Sequence, residues 1–362
     1  MSIHGSQGMQ LALTAQYALS PVGLDAETTC AALRARVSRL RESEVYLPMP
    51  AGPEAADDVP LTAACVPDLD VEVQGIDRLF MLALGALRGL VARAEMARAE
   101  LARTAILVAL PAADAIVGRW NLGQVFVPNL LARGGLDEIA DDRVKVEQGG
   151  NTAVLSALGT AAAWLDSGAV DQCIVLAADS YLDFERLRTL DLAYRLKSER
   201  GVDGFVPGEA AVALLLEPST SRKTNHRPRL ARLTLPVLTQ EPRPLAGDKP
   251  STGTGLVTAL RGALRGLSES KPAGWFLCDM NGESYRAFEW GLARARLGEA
   301  LAGDMVVQHP ADCIGDTGAA CAGLLIACAT QAYVRKYAQH AAAVIWSAAD
   351  AGSRGAMLVL PP

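Results

Sequence analysis

Residues 203–209 read Asp203-Gly204-Phe205-Val206-Pro207-Gly208-Glu209, and AAVALLLE follows at 210–217. Two glycines and a proline in so short a stretch mark a loop. The apolar run after it has the length and continuity of a strand buried on both faces. Upstream, CIVLAADS (173–180) reads as a second buried strand that ends in polar residues. Before that strand, NTAVLSALGTAAAWLD (151–166) reads as a helix of small apolar residues, which Gly168 ends. Residues 181–196 read as helix between the second strand and the loop.

The same order returns near the C-terminus. IGDTGAACAGLLIACATQAYV (314–334) is a second small-residue helix, and AVIWSAAD (343–350) answers CIVLAADS. The final strand, in SRGAMLVLPP (353–362), answers GEAAVALLLEP (208–218). The matched order points to a duplicated β-α-β unit with parallel sheets and helices on both faces. The halves are expected at 1–217 and 254–362. Residues 218–253 join them, are polar and rich in Pro, Arg and Lys, and hold one strand near 229–238. Elsewhere the pattern predicts strands at 9–19, 104–111 and 274–280. Helices are predicted from Asp25 to about Arg41, and at 76–102, 119–131, 254–268 and 284–300. An irregular stretch is expected at 46–72.

The chain has 362 residues, half of them apolar and 20% charged, which excludes disorder and allows a large core. The formal charge is −6 without a basic face, so no nucleic-acid partner is expected. The seven cysteines form no C-x-x-C pair and read as reduced thiols of a cytosol. His4, His226, His309 and His340 are scattered without metal spacing, and no cofactor motif such as G-x-G-x-x-G occurs, so neither metal nor cofactor is expected. The first twenty residues lack a charged region and a long apolar core and read as a strand in place of a signal peptide. No charge-free apolar run is long enough for a membrane helix.

The stretch Val146–Glu217 resembles the N-terminal half of the β-ketoacyl-acyl-carrier-protein synthases of the thiolase-like superfamily. The D-G-F-V-x-G-E loop is matched almost letter for letter, with Gly168 and Ala178-Asp179 at corresponding spacings. Ile314-Gly315-Asp316-Thr317-Gly318-Ala319-Ala320 is similar to that family's I-G-H-T-x-A-A segment. The resemblance covers about 144–362. It implies a thiolase-like five-layer α-β-α-β-α sandwich from two pseudo-duplicated halves, and a homodimer or a heterodimer with a relative.

Condensation in that family needs a thiolate at a helix N-terminus and two imidazoles, or one with an asparagine, to stabilise developing charge. Here Asn151 falls at the cysteine position, Asp316 at that of the second histidine, and Cys278-Asp279-Met280-Asn281-Gly282-Glu283 at the strand end of the first. These degenerate positions, Asn151, Asp279 and Asp316, leave no acyl acceptor and no cationic partner for an oxyanion. Losing one member of such a unit already removes most of the rate. Asn151 is then expected to cap the helix. The alternative is an acyl-handling enzyme, or a subunit like a chain-length factor, with an apolar tunnel reaching Asn151.

Two further clusters carry polar chemistry. His309, Asp312 and Cys313 could pair a thiol with an imidazole, or be a surface histidine and a buried thiol; Cys278 at a strand end reads as reactive or as core. The run from Asp279 to Trp290 gives a candidate pocket or docking rim: Asn281, Glu283, Tyr285, Arg286, Glu289 and Trp290. It equally reads as an Asn281-Gly282 turn, a helix start at Glu283 and an interior Trp290. This run is similar to thiolase-like proteins of bacterial type VI secretion clusters. The resemblance implies a catalytically inactive scaffold or chaperone-like accessory of the bacterial cytoplasm, with a secretion effector or adaptor as protein partner.

Overall fold

The computed structural model describes residues 10–49, 60–219, 227–247, 249–267 and 272–362. In the N-terminal half, β1 (Gln10–Leu19) and α1 (Ala26–Arg34) lead to a small antiparallel pair, β2 (Arg41–Ser43) and β3 (Leu61–Ala63). Then come α2 (Gly75–Arg93), α3 (Arg98–Leu101), β4 (Thr104–Ala109), α4 (Val127–Gly134), β5 (Val144–Glu147), α5 (Ala153–Asp166), β6 (Gln172–Ser180), α6 (Phe184–Leu192) and β7 (Glu209–Pro218). β8 (Ala231–Thr234) and β9 (Val237–Gln240) follow. The C-terminal half continues with α7 (Thr254–Leu264), β10 (Ala273–Cys278), α8 (Ser284–Leu297), β11 (Leu301–Gln308), α9 (Ala311–Ile314), α10 (Cys321–Val334), β12 (Ala343–Ala348) and β13 (Ser353–Leu360).

Strand alternation sorts the side chains into three main cores, and a smaller cluster around Tyr46, Leu61 and Leu187 lies apart from them. Cys173, Val175 and Ala177 of β6 meet Ala343 and Ile345 of β12 around α5 and α10. Their neighbours Ile174, Leu176 and Ala178 face α2 and α4 on the other side. In the second half, Val344, Trp346 and Ala348 face α7 and α8. Successive strand residues point to opposite faces, so β4, β6, β7 and β12 are largely apolar on both. The result is the layer sequence helix, sheet, helix, sheet, helix. The inner helices are rich in alanine because each touches a sheet on either side; no residue of α5 larger than leucine points inward except where Trp164 lies half-buried at the margin.

The strand order is β11-β10-β12-β13-β8-β1-β7-β6-β4-β5, with β9 also on β13. The two halves mirror each other about the β1–β8 pairing, so that β6 answers β12 and β7 answers β13, and β8 is the second half's innermost strand. That strand bonds to β1 on one side and to β13 on the other. The sheets are mixed, which corrects the expectation of parallel ones. β5-β4-β6 and β11-β10-β12 are parallel, but β6–β7, β1–β7 and β12–β13 are antiparallel. Continuous apolar runs report two covered faces and carry no information on strand direction.

Other expectations shift locally. Asp25 caps α1 through the backbone N–H of Thr28, as its spacing predicts, but the helix closes at Arg34 and not at Arg41. The 76–102 helix is interrupted after Arg93, where Glu95 takes a left-handed conformation, and resumes as α3. The 119–131 helix is a short 3-10 turn and a π turn before α4. The irregular 46–72 stretch contains β3; residues 50–59 within it lie outside the described residues, as do 1–9, 220–226, 248 and 268–271. The strand expected near 229–238 is two strands, and β11 was not expected at all. No helix among the described residues is long and apolar enough to cross a membrane.

Candidate functional site

The 203–209 loop ties the two halves together. Asp203 accepts hydrogen bonds from the backbone N–H of Ser284 (2.9 Å) and from its hydroxyl (2.6 Å), and so caps α8 from across the molecule. The Gly208 N–H donates to the carbonyl of Asp316 (2.9 Å), and the Asp316 N–H to that of Val206 (2.8 Å). A β-carbon on Gly208 would stand 2.1 Å from the Ile314 carbonyl oxygen, which is why a glycine is needed there. Glu209 is wholly buried and receives Arg78 through two bonds of 2.6 and 2.7 Å, the Val66 N–H and the Ser180 hydroxyl. The loop thereby holds Asp316 at the start of α10.

Asn281 is the hub of the buried centre. Its Nδ2 donates to Asp316 Oδ2 (2.7 Å) and to Glu283 Oε2 (3.0 Å), while its Oδ1 accepts from the Glu283 N–H. Asp316 Oδ1 accepts from the Gly318 N–H at 2.8 Å. Glu283 takes a bidentate grip from Arg195, at 2.7 and 2.8 Å. Arg195 also reaches Asp350 (2.7 Å), which accepts from the Tyr285 hydroxyl (2.7 Å) and from Arg286 (3.2 Å). Burial would raise the Asp350 carboxyl, but Arg286 and Arg195 outweigh it and hold the pKa below the usual range. The Tyr285 hydroxyl is pushed well up, first by burial.

Asp279 stands apart from this hub. Its Oδ2 accepts from the Ala348 N–H (2.8 Å) and from Arg286 (3.1 Å), and its Oδ1 has no partner. Burial lifts its carboxyl to about 6, against the pull of Arg286 and the Ala348 N–H. Asn281, two residues on, is the side chain of this segment that meets Asp316. Asn151 is 5% exposed in a 3-10 turn (150–152) that packs on the turn at 318–320, bringing the starts of α5 and α10 together. It does not cap α5: no side chain caps that helix, and the Asn151 Nδ2 has no hydrogen-bond partner.

The remaining rim residues are mostly interior. Arg286 is buried among Asp279, Asp350 and the Ala348 carbonyl. Glu289 forms a buried bidentate pair with Arg354 (2.6 and 2.8 Å), and Trp290 lies between Phe276 and Trp346 in the outer core. Glu283 and Tyr285 do border an open cleft of about 460 Å³, shared with Tyr194, Arg195, Asp203 and Asp350. Arg195 and Asp350 were not singled out in the sequence. The one signal was that Asp350 ends the second Ala-Ala-Asp strand, as Asp179 ends the first. Asp179 is buried, between Arg186 and the Ala319 N–H, whereas Asp350 is partly exposed.

The centre is a network of carboxylates, the Asn281 carboxamide and two guanidiniums. The thiols closest to the acids, Cys278 and Cys321, are buried and raised far above the thiol range, chiefly by burial. His309, bonded to Asp312 at 3.0 Å, lines a different cleft together with Cys313 and His340; His4 and His226 lie outside the described residues. Burial raises the Cys313 thiol too, and His309 is paired with Asp312. Among the described residues no group of three potential ligands could hold a metal ion.

No protein-family model and no curated protein matches the sequence. Solved structures match the fold over almost the whole chain. The ishigamide ketosynthase/chain length factor has a TM-score of 0.68 at 20% identity, covering 97% of this chain and 99% of that one. A type II polyketide ketosynthase, solved with its acyl-carrier protein and bound to the hexaketide, gives 0.76 at 15% identity, covering 98% and 100%. An oxazolomycin ketosynthase domain of Streptomyces albus JA3453 gives 0.77 at 14%, covering 98% of this chain and 75% of that one. The chain therefore has the thiolase-like ketosynthase fold.

Proposed function

We propose that this protein is a non-condensing member of the ketosynthase fold that works through a protein partner, as a scaffold or as the silent subunit of a pair. One observation carries the reading. Asn281 spends both amide protons on Asp316 and Glu283, so the place of an oxyanion stabiliser is filled by two carboxylates, of which Glu283 is already paired with Arg195. A developing negative charge there would meet two acids, and nothing in the network is a nucleophile. The similarity in fold to a ketosynthase/chain length factor supports a partnered role. A homodimer, or a heterodimer with a catalytic relative, is the expected assembly in the cytoplasm. Loading of a type VI secretion effector is one setting for such a scaffold. It rests on the similarity of the 279–290 run alone, most of which serves the buried ion pairs.

Intact-mass measurement after incubation with an acylated carrier protein tests the reading. No adduct is expected on the wild-type chain, and an acyl adduct on any residue would overturn it. Mass photometry of the purified protein is expected to give a dimer, or a monomer that converts to a heterodimer when a ketosynthase from the same host is added.

A further inference from the structure

A second cleft, remote from the Asn281 network, is built like a small-molecule site. We infer that the cleft between α1, the β10–β11 edge and the C-terminal end of α10 binds a small organic anion with an apolar body. The inference stands independently of the proposed function.

The cleft holds about 440 Å³, within the roughly 300–1,000 Å³ of small-molecule sites. Leu33, Trp275, Leu277 and Ala332 supply an apolar wall. Trp275 is fixed in it: its Nε1 donates to Gln308 Oε1 (3.0 Å), and its ring meets Tyr333 edge-on. Arg34 and Arg36 stand on the lining as permanent cations. The Arg34 guanidinium is held 4.0 Å above the Tyr337 ring, and the Arg36 backbone is closed onto α1 through the Leu33 carbonyl. The segment beyond is pinned by the Arg39 N–H on the Cys313 carbonyl at 2.9 Å.

The charge balance sets the class of ligand. Among the described residues Asp312 is the one carboxylate lining the cleft, and it lies 3.0 Å from His309 Nδ1. Glu27, the acid within α1, is bound by Arg93 and Gln331. Neither arginine has a carboxylate partner across the cleft, so the lining combines an uncompensated positive charge with an apolar wall. A carboxylate carried on a short hydrocarbon fits both. Three thiols, Cys30, Cys313 and Cys328, also line the space. Cys30 is raised first by its hydrogen bond with Cys328 and then by burial, and the inferred binding is non-covalent.

Octanoate is the probe, added to the full chain and followed by calorimetry. Saturable binding is expected, with octanol and octylamine at least tenfold weaker. The double substitution Arg34→Gln with Arg36→Gln should weaken octanoate at least tenfold. Ala338→Trp fills the apolar side while leaving both arginines, and should do the same. Absence of saturable binding, equal binding of octanol, or both variants binding like wild type would overturn the inference. Where a variant does not fold, the wild-type chain still decides. Octanoate should slow alkylation of half-buried Cys328 severalfold by peptide mass spectrometry, and an unchanged rate would count as refutation.

Discussion

Asp279 carries a charge that the interior disfavours. Its folded pKa, about 6, lies above the 3.8 of an ordinary Asp, so the fold binds this proton more tightly than the unfolded chain does. The stability it contributes is complete below about pH 4 and is lost as the pH rises through 6. Asp279→Asn keeps the shape and removes the charge. Relative to wild type, the variant should gain stability between pH 4 and pH 7, by up to about 3 kcal/mol at about 1.4 kcal/mol per pKa unit. Urea denaturation at several pH values checks this, and a constant difference would show a normal carboxyl. Glu209 lies at the other extreme, with every oxygen engaged. Glu209→Gln leaves Arg78 buried with half its partner, and should destabilise the chain by about 3–5 kcal/mol, read from the same denaturation curves. The letters of the 203–209 loop were visible in the sequence, but the tasks of Asp203, Gly208 and Glu209 were not. Their partners Ser284, Asp316 and Arg78 are far away in the chain, and no local pattern names a distant partner. Asn151 shows the same limit: a carboxamide before a helix reads as a cap, yet packing of two turns against each other decides its orientation.

At the scale of elements, the second half begins its outer helix without a cap of its own. Glu283 occupies the capping position of α8 but makes no capping bond, being committed to Arg195. Asp203 of the first half supplies the missing acceptor. Asp203→Ala should therefore cost about 1 kcal/mol, the ordinary value of a helix cap. It should also speed amide hydrogen exchange in the first turn of α8, far from the substitution in sequence. Exchange confined to 201–207 would show that the contact is incidental. Elements were legible where burial is symmetrical and long, as in β6, β7, β12 and β13. β11 was missed because Gly303 and Asp304 interrupt LAGDMVVQ, and because an edge strand, exposed along one side, needs no continuous apolar run. The break after α2 was missed because Glu95 adopts a left-handed turn that the sequence does not advertise with glycine.

For the whole molecule, the duplication was legible and its joint was not. The stretch 218–253 looks like a polar connection between halves, yet β8 and β9 within it complete the sheet. The inner core draws side chains from both halves around α5 and α10. Heat or urea should then unfold the chain in one cooperative transition, with tryptophan fluorescence (Trp275, Trp290 and Trp346 report the second half) and far-ultraviolet dichroism superimposing. Two resolved transitions would mean that the halves are separately stable.

The shared strand has a practical consequence. A polypeptide ending just after Gln240 would keep β8 and β9 with nothing to lie against on the β13 side, while a second polypeptide from Ser251 onward would carry the vacant counterpart. Each piece would offer the other a ready-made hydrogen-bonding edge and half of a hydrophobic interior. Fused to the halves of a split reporter, such fragments should light up only on reunion, so the join between the two repeats could serve as a molecular latch.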